Sequence, residues 1–432
     1  MQTQLAPSFQ NTPEGQQAEA VLRQCVHCGF CNATCPTYKV TGDELDGPRG
    51  RIYLMKQVFE GQAPTRITQE HLDRCIGCRH CESTCPSGVQ YHELLAVGQA
   101  AVDAQVKRPW RERLMRWALI QILPSRWFKP ALSMGRLVRP VLPKLWQERI
   151  PLLPPLAPPR WPDRKKAMHA RQVLLLKGCV QRSLRPHVDA STARVLDVMG
   201  IRTGVSRSSG CCGAIQGHLG DLEGAKDRAR RNIDAWWPWV ESQTPAEAIL
   251  INASGCGAWV KEYGALLADD PAYADKAKRI AALAKDPGEL LPSWLPFLKR
   301  RLGRRPEGTS LGSVTFHPPC SLSHVHKLSS AAQPGPIEQG LRELGFEVNL
   351  APRDSHQCCG AGGAYSVTQP ELSRQLRDLK IKALEETEPH VIASANIGCI
   401  VHLQSGTNTP VKHWIEVLDE ALTRQQAVGP MG

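Results

Sequence analysis

The sequence predicts a multidomain α+β protein, in which a small, mainly helical N-terminal domain precedes two copies of an α/β domain. Two observations support this prediction. Two runs of four cysteines with identical spacing stand within the first 106 residues. The doublet Cys-Cys-Gly then occurs twice in the C-terminal part, where each copy combines short β-branched runs with longer helical stretches. That alternation is typical of a parallel sheet covered by helices.

Changes in composition predict the domain boundaries. Residues 1–106 hold the two cysteine runs, and residues 107–166 form a basic connector rich in Trp and Pro. Residues 167–302 contain the first Cys-Cys-Gly doublet and residues 303–432 contain the second. A chain of 432 residues is long enough for several domains, each with a core of its own.

The two N-terminal runs read CVHCGFCNATCP (25–36) and CIGCRHCESTCP (75–86). Their spacing, C-x2-C-x2-C-x3-C-P, is that of bacterial two-cluster ferredoxins. Three closely spaced cysteines can hold three corners of a [4Fe–4S] cube, while the fourth, fixed ahead of a proline, points away and ligates the other cube. The expected ligands are Cys25, Cys28, Cys31 and Cys85 for the first cluster, and Cys75, Cys78, Cys81 and Cys35 for the second.

The two runs have two alternative interpretations, a pair of zinc sites and a disulfide knot. Zinc sites usually pair one C-x2-C with a distant second pair, so a triple C-x2-C-x2-C leaves ligands unused. Clustered cysteines in a chain without a secretory signal more often indicate metal or redox chemistry than disulfides. The doubled spacing therefore favours two clusters.

Local patterns predict the main helices and strands in order along the chain. Helices are expected at 51–61, where Gly61 ends the helix, and at 92–105. Each repeat copy should have two core strands, each just before a cysteine, and one long helix after the doublet. The strands are expected at 172–176, 248–252, 313–316 and 390–394, and the helices at 221–240 and 370–387. The cysteines would then lie at the carboxyl ends of strands or in the loops beyond, where open α/β sheets bind ligands.

The two repeat copies each contain four cysteines at corresponding positions. The sets are Cys179, Cys211, Cys212 and Cys256, then Cys320, Cys358, Cys359 and Cys399. Offsets of 141, 147, 147 and 143 residues between matching cysteines indicate two copies of one unit. Cysteine is often merely a buried packing residue, but a packing position would not need to be Cys in both copies. The repeat therefore predicts thiolate ligation or thiol redox chemistry, and the following Gly allows close backbone approach or a positive φ.

The connector carries the whole net charge of the chain. Residues 107–166 contain 15 Lys or Arg and 3 Asp or Glu, while the chain as a whole has a net charge of +12. Trp110, Leu114, Trp117 and Ala118 fall on one helical face, which predicts either peripheral membrane contact through residues 107–150 or a helix packed on protein. No nucleic-acid partner is expected, because no binding motif accompanies the charge.

Other signals are weaker, and no catalytic residue is predicted. The stretch Gly360–Gly363 lacks the full dinucleotide-binding spacing and indicates a turn that supports the cysteine loop. His317 and His356 stand near cysteines and are candidates for proton relay, ligation or ordinary hydrogen bonding. The polar N-terminus and the short apolar runs predict neither a signal peptide nor a transmembrane helix, and hence a cytoplasmic location.

The chain resembles the iron–sulfur subunits of bacterial glycolate oxidase (glycolate dehydrogenase). The resemblance rests on CVHCGFCNATCP, TGDELDGPRGRIYLMK, CIGCRHCESTCPSGV, SSGCCGA and HQCCGAGG. It implies an oxidoreductase complex with flavin-containing (FAD) subunits that oxidise glycolate and pass electrons onward to the quinone pool. This chain would transfer electrons and be peripheral on the inner face of the cytoplasmic membrane.

The resemblance extends to subunits of lactate-utilisation enzymes, anaerobic glycerol-3-phosphate dehydrogenase and heterodisulfide reductase. It implies D-lactate or glycerol-3-phosphate dehydrogenase, or a thiol–disulfide redox subunit, as alternatives to glycolate oxidation. In heterodisulfide-reductase-like units the last motif is C-x2-C, but here Ala253 and Asn396 stand three residues before Cys256 and Cys399. A five-thiolate cluster is therefore not expected, while four thiolates remain for a simpler cluster or a redox disulfide.

Overall fold

A computed structural model describes residues 1–125, 127–141, 143, 147, 159–163, 169–303, 309–329 and 333–428. The chain divides into two compact units. The first combines Met1–Trp117 with Gln357–Leu379, and the second combines Ala118–His356 with Lys380–Gly432. The predicted fold class is confirmed, because helices make up most of the first unit and the second unit contains two parallel sheets.

The N-terminal part is helical and has nine α-helices in the described residues up to 141. They are α1 (Pro13–Gln24), α2 (Phe30–Thr34), α3 (Pro36–Thr41), α4 (Pro48–Phe59), α5 (Arg66–Asp73), α6 (His80–Thr84), α7 (Tyr91–Gln105), α8 (Trp110–Ile122) and α9 (Phe128–Val138). Helices α4 and α7 correspond to the expected helices at 51–61 and 92–105. Prolines occupy the first position of α1, α3 and α4, where their missing N–H has no helical partner to lose.

The core of the first unit is small and lies between α1, α4, α5 and α7. Its fully buried side chains include Leu22, Met55, Phe59 and Leu94. Helices α4 and α7 approach closely at Gly98, where an added Cβ would stand 2.4 Å from the sulfur of Met55. Several cysteines of the two runs border this core, so the ligand loops are held by packed helices.

The second half alternates strands and helices. In the first copy these are β1 (Arg171–Leu175), α10 (Gln181–Leu184), α11 (Pro186–Val198), β2 (Ile201–Gly204), α12 (Ala214–His218), α13 (Leu222–Val240), β3 (Ile249–Leu250), α14 (Ser254–Lys261), α15 (Tyr263–Leu266), α16 (Ala274–Leu283), β4 (Ala284–Lys285) and α17 (Pro287–Leu302). In the second copy they are β5 (Ser313–His317), a π-helical turn (Ser321–Val325), α18 (Pro336–Glu343), β6 (Glu347–Leu350), α19 (Tyr365–Thr368), α20 (Pro370–Glu385), β7 (Val391–Ser394), α21 (Ile397–Gln404), β8 (Val411–His413) and α22 (Trp414–Val428).

The two sheets have the same topology. The strand orders are β2-β1-β3-β4 and β6-β5-β7-β8, and every pair is parallel. The expected central strands are β1, β3, β5 and β7, although β3 has only two residues. The four edge strands were not expected, because their sequences lack a sustained apolar run. The predicted repeat is therefore present as two matching α/β folds.

The two sheets of the second unit share a hydrophobic core. Val173 and Leu175 of β1 belong to the same buried cluster as Val314 and Phe316 of β5. Helix α11 packs against α22, where Asp419 accepts hydrogen bonds from Ser191 and Arg194. The two copies thus form one folded body from residues far apart in sequence.

The described part of the connector is helical. Helices α8 and α9 contain no buried residue, and Trp110, Leu114 and Trp117 are 68%, 53% and 59% exposed. Trp146 and most of the stretch PLLPPLAPPRWP lie outside the described residues. Among the described helices, none combines the length and the apolar content required to cross a bilayer.

Candidate metal centre

The cysteines of the two N-terminal runs form two groups of thiols in the first unit. One pocket is lined by Cys25, Cys28, Cys31 and Cys85, with Cys81 also at its wall. The thiol of Cys81 in turn interacts electrostatically with Cys75, Cys78 and Cys35. Each group therefore contains three cysteines of one run and the fourth cysteine of the other run, and their ligation of two clusters stays a prediction.

The two ligand loops adopt the same backbone curl. His27 and Gly77, each just before the second cysteine, have φ values of 59° and 70°. Gly29 and Arg79, each just after it, have φ values of 86° and 62°. A left-handed conformation costs a non-glycine residue about 1–2 kcal/mol. Because His27 and Arg79 accept this cost, the surrounding fold must impose the curl.

The fourth cysteines also have matching conformations. Cys35 and Cys85 end helices α2 and α6 with φ and ψ of −75° and 118°, and of −74° and 116°. Their backbone N–H groups donate to the carbonyls of Asn32 and Glu82. The proline that follows each cysteine favours this extended conformation. The X-Pro turn therefore carries each fourth thiol away from its own loop.

Burial disfavours the ionised, thiolate form of these cysteines. It raises the pKa of Cys31 to about 11, with the nearby Cys25 as the next cause. Burial also raises the pKa of Cys25 and Cys81. Four neighbouring thiolates therefore need a bound cation to be stable at neutral pH. Sulfur-only donor sets of this kind suit iron–sulfur clusters or zinc, so the residues fit the predicted clusters.

The four cysteines of the first copy lie together in the second unit. The thiol of Cys179 donates to the sulfur of Cys211 at 3.5 Å, and Cys212 interacts with both Cys211 and Cys256. The hydrogen bonds from Cys179 and Cys212 lower the pKa of Cys211, while the pKa values of Cys179 and Cys212 are raised. These hydrogen bonds therefore favour the thiolate of Cys211 over those of Cys179 and Cys212.

Polar side chains from two helices hold the first doublet. The amide of Asn232 in α13 donates to the carbonyl of Cys211 at 2.9 Å. The hydroxyl of Tyr263 in α15 donates to the carbonyl of Cys212 at 2.6 Å. These two residues were not recognised in the sequence, because neither stands near the doublet. A buried polar residue on the apolar face of α13 was the available signal.

The glycine after each doublet is required by its conformation. Gly213 and Gly360 have φ values of 97° and 89°, and their N–H groups face the sulfurs of Cys211 and Cys358 at 3.5 and 3.4 Å. An added Cβ would stand 3.1 Å from the carbonyl oxygen of Ala225 at Gly213, and 2.4 Å from that of Ser373 at Gly360. Positive φ and close backbone approach therefore coincide in both copies.

The second copy distributes its cysteines between the two units. Cys358 and Cys359 are buried and lie in the segment 357–379, which belongs to the first unit. Cys320, at the start of the π-helical turn, and Cys399, in α21, lie in the second unit. The sulfur of Cys399 accepts a hydrogen bond from the amide of Asn396 at 3.7 Å. An amide thus contacts this thiol from the position where C-x2-C units have a further cysteine.

Within the first unit, the second doublet's loop contacts both neighbours of Cys75. The hydroxyl of Tyr365 donates to the carbonyl of Arg74 at 3.1 Å. A Cβ on Gly362 would stand 2.7 Å from Cγ1 of Ile76. Electrostatic interactions of Tyr365 with Cys75 and Cys358 also contribute to raising its pKa, after burial as the largest cause. The loop therefore lies against the second ligand loop of the N-terminal domain.

The weaker candidates Gly360–Gly363, His317 and His356 all lie within the described residues. The stretch Gly360–Gly363 is a turn with three positive φ values, at Gly360, Gly362 and Gly363. His317 ends β5 and is buried, and this burial lowers its pKa, so it is neutral at physiological pH. His356 is the last residue of its segment in the second unit.

Comparison with known proteins gives matches along the whole chain. The 4Fe-4S dicluster domain family matches residues 21–89, and the cysteine-rich CCG domain family matches residues 173–261 and 314–404. The chain is 49% identical over 427 residues to the glycolate oxidase iron–sulfur subunit of Escherichia coli (strain K12), which covers 98% of this chain and 100% of that protein.

Two further relatives match with lower identity. The probable glycolate oxidase iron–sulfur subunit of Bacillus subtilis (strain 168) is 29% identical over 425 residues, covering 92% of each chain. Lactate utilization protein A of Bacillus velezensis is 27% identical over 254 residues, covering 57% of this chain and 99% of that protein. The predicted dicluster domain and the two cysteine-rich repeats are therefore confirmed.

Proposed function

Because the chain belongs to the family of glycolate oxidase iron–sulfur subunits, we propose that it carries electrons within a glycolate-oxidising complex. A flavin-containing partner would oxidise the 2-hydroxy acid, and a membrane quinone would accept the electrons. The single observation that most supports this role is the pair of four-thiol groups in the first unit, each completed by the other run. Bound clusters supply reversible one-electron chemistry, and the protein supplies their ligands and surroundings.

Each residue of the two runs then has a stated role. Cys25, Cys28, Cys31 and Cys85 would hold one cluster, and Cys75, Cys78, Cys81 and Cys35 the other. The curled loops position three thiols each, and Pro36 and Pro86 fix the exchange of the fourth. Cys81, Cys35 and Tyr91 at the start of α7 are buried, whereas Cys75 and Cys78 are partly exposed.

A comparison of cysteine variants tests whether the two runs exchange their fourth cluster ligands. Two single variants, Cys28→Ser and Cys78→Ser, each remove one proposed ligand that both pairings assign to the same cluster, and they identify the spectrum of each cluster. If the exchange is right, Cys85→Ser loses the same electron paramagnetic resonance (EPR) signal as Cys28→Ser, and Cys35→Ser the same signal as Cys78→Ser. The opposite pairing would contradict it. The unmodified chain should contain about eight iron atoms from these two groups, and zinc in their place would overturn the cluster proposal.

Glycolate is the proposed substrate of the complex because of the 49% identity over the full length. The test is to co-purify this chain with its flavoprotein partner and to compare glycolate, D-lactate and glycerol 3-phosphate. Glycolate should reduce the clusters fastest. Faster reduction by either other substrate would assign the chain to one of the alternative dehydrogenases.

The four cysteines of the first copy are a candidate site for a further metal centre in the second unit. Cys179, Cys211, Cys212 and Cys256 lie close together and one of them ionises readily, so the group suits thiolate ligation of a further iron–sulfur cluster. The rival is a redox dithiol. Iron above the amount held by the N-terminal groups, lost in Cys211→Ser and Cys212→Ser, supports ligation. Reversible oxidation of two thiols in a metal-free site, with turnover of a disulfide substrate, supports the rival.

Helix α8 is the proposed membrane contact. Its charged side forms ion pairs with helix α5. Arg116 pairs with Asp73 at 3.1 Å, and Glu112 pairs with Arg66 at 2.6 Å. Its apolar side, with Trp110, Leu114 and Trp117, faces solvent. Exposed tryptophans beside basic residues suit the interface of an anionic bilayer.

A vesicle test separates this contact from packing on a partner protein. The triple variant Trp110→Ser, Leu114→Ser, Trp117→Ser should lose binding to vesicles that contain anionic lipid. The matched control, Leu222→Ser, replaces an exposed leucine of α13. Unchanged vesicle binding, combined with weaker co-purification of the flavoprotein, would instead assign this face to the partner.

A further inference from the structure

A buried arginine lies beside the second group of thiols. Arg51, in α4, is 1% exposed. Its Nε donates to the carbonyl of His71 at 2.7 Å, and both terminal nitrogens donate to the hydroxyl oxygen of Thr37 at 3.2 Å. Because guanidinium remains charged at all physiological pH values, Arg51 places a permanent positive charge in this interior.

This charge is directed toward the ligands Cys35 and Cys75. The oxygen of Thr37 that accepts from Arg51 lies 3.2 Å from the sulfur of Cys35. Arg51 also interacts electrostatically with Cys75 and Cys35, as it does with the carboxylate of Asp46. The cation is thus next to two of the four thiols that would hold the second cluster.

The carboxylate in this network does not cancel the positive charge. Asp46 is fully buried and is shared by two guanidinium groups, with Arg51 at 3.7 Å and Arg74 at 3.1 Å. His71 also bonds to Asp46, at 2.8 Å. Asp46 is divided between Arg74 and the more distant Arg51, so it offsets the charge of Arg51 only in part. Arg74 also pairs with Glu70 at 3.0 Å, but Glu70 is 49% exposed, so water screens its negative charge more strongly than the buried charge of Arg51.

The first group of thiols has a different neighbour. Arg49 lines its pocket, but the side chain of Arg49 is 37% exposed and pairs one to one with Glu44 at 2.6 Å. A neutralised pair that water reaches is screened far more effectively than a buried charge. The two groups therefore differ in the electrostatic potential at their thiols.

We infer that Arg51 raises the reduction potential of the cluster held by Cys35, Cys75, Cys78 and Cys81 above that of its neighbour, so that this cluster is the electron sink of the pair. The inference rests on the proposed electron-transfer function. Reduction adds one negative charge, and a buried cation stabilises that charge in a weakly screened interior. With both clusters bound, this difference would favour transfer of one electron from the first cluster to the second, which would oxidise the first and reduce the second without exchange of a bond or a proton.

The test is a potentiometric titration of the full chain followed by EPR. Arg51→Gln should lower the reduction potential of the cluster that Cys78→Ser removes by at least about 59 mV. This shift corresponds to a tenfold change in the one-electron reduction equilibrium. Arg51→Lys, which keeps the charge, should preserve the wild-type order. The matched control, Arg49→Gln, should leave that potential unchanged.

A partly exposed residue keeps the test decisive if Arg51→Gln does not fold. Arg74→Gln removes the second guanidinium from a side chain that is 29% exposed, and it should shift the same cluster in the same direction by a smaller amount. No shift in either variant, or an equal shift of both clusters, would overturn the inference. A chain that assembles no second cluster at all would instead overturn the proposed function.

Discussion

The two Cys-Cys-Gly loops are almost identical in sequence and local geometry, but they belong to different units of the molecule. Gly213 and Gly360 have similar φ values and the same N–H to sulfur contact. The first loop lies in the second unit with the other cysteines of its copy, whereas the second loop lies in the first unit, against the residues that flank Cys75. Equal repeats therefore need not have equal partners in electron transfer.

The difference arises from residues outside the doublets. Tyr263 and Asn232 fix the first loop to helices of its own copy. Tyr365 and Gly362 attach the second loop to Arg74 and Ile76 of the N-terminal domain. The second copy is thus the one whose doublet is fixed beside an expected ligand of the second cluster.

The largest expected effect comes from placing a methyl group on the glycine of each doublet. Gly360→Ala would bring a Cβ to 2.4 Å from a backbone carbonyl and should destabilise its unit by about 3 kcal/mol, from steric overlap and left-handed strain together. Gly213→Ala meets a carbonyl at 3.1 Å and should cost about 1–2 kcal/mol.

Urea unfolding with two probes distinguishes these variants. The EPR signals that Cys28→Ser and Cys78→Ser remove report cluster loss in the first unit, and far-ultraviolet circular dichroism reports the whole chain. Gly360→Ala should lower the urea midpoint of cluster loss, and Gly213→Ala should leave that midpoint close to wild type. Equal sensitivity of cluster loss to both variants would contradict the different placement of the loops.

A neighbouring pair of glycines isolates the contact with the N-terminal domain. Gly362 and Gly363 both have positive φ, 47° and 62°, but a Cβ meets Ile76 and Tyr365 at 2.7 Å only at Gly362, while nothing lies within 4 Å at Gly363. Gly362→Ala should cost about 2–3 kcal/mol and Gly363→Ala about 1 kcal/mol.

The EPR spectrum provides the second measurement for this pair. Gly362→Ala should alter the signal of the cluster that Cys78→Ser removes, because Ile76 adjoins Cys75. Gly363→Ala, with the same backbone strain, should leave the signal unchanged. Identical spectra for the two variants would show that the loop does not influence that cluster.

Sequence spacing predicted the parts of this arrangement that depend on local pattern. The cysteine sets, the two-fold repeat, the central strands and the long helices after each doublet all follow from residues close together in the chain. The conformation of the glycine after each doublet was also predictable, because the same Cys-Cys-Gly motif occurs twice in the chain.

The remaining features depend on contacts between distant residues. Tyr365 and Arg74 are 291 positions apart, and no local pattern links them. Arg51 stood in an expected helix, in line with the apolar positions Met55 and Val58, and its charge on that face was the one available signal. Edge strands such as β4, with two residues, are defined by pairing with β3 and not by their own sequence.

The first copy contains a buried carboxyl group, Asp189, that should make the stability of the second unit depend on pH. Asp189 accepts from Gln181 at 2.7 Å and from Asn252 at 3.1 Å, and Asn252 stands four residues before Cys256, where the second copy has Ala395 before Cys399. Burial raises the pKa of Asp189 to about 6.

The folded protein therefore holds this proton more tightly than the unfolded chain, so stability is greatest below pH 4 for this group and is lost as pH rises through 6. The loss should be about 2 kcal/mol between pH 4 and pH 7. Asp189→Asn should remove this part of the pH dependence, measured by urea unfolding at several pH values. The control Asp227→Asn alters a carboxylate that is 60% exposed and should change the profile little. An unchanged profile in Asp189→Asn would contradict the assignment.

The smallest expected effect comes from removing the tyrosine hydroxyl that holds each Cys-Cys-Gly loop. Tyr365→Phe deletes the hydrogen bond to the carbonyl of Arg74 and should lower the stability of the first unit by about 1 kcal/mol, seen as a lower urea midpoint for cluster loss. Tyr263→Phe deletes the bond to the carbonyl of Cys212 and should destabilise the second unit by a similar amount, without moving that midpoint. If Tyr263→Phe shifted cluster loss as far as Tyr365→Phe does, the two loops would be energetically equivalent despite their different contacts. A shift confined to Tyr365→Phe would show that the second copy alone is coupled to the cluster-binding domain, because the two substitutions remove the same chemical group from matched backbone acceptors.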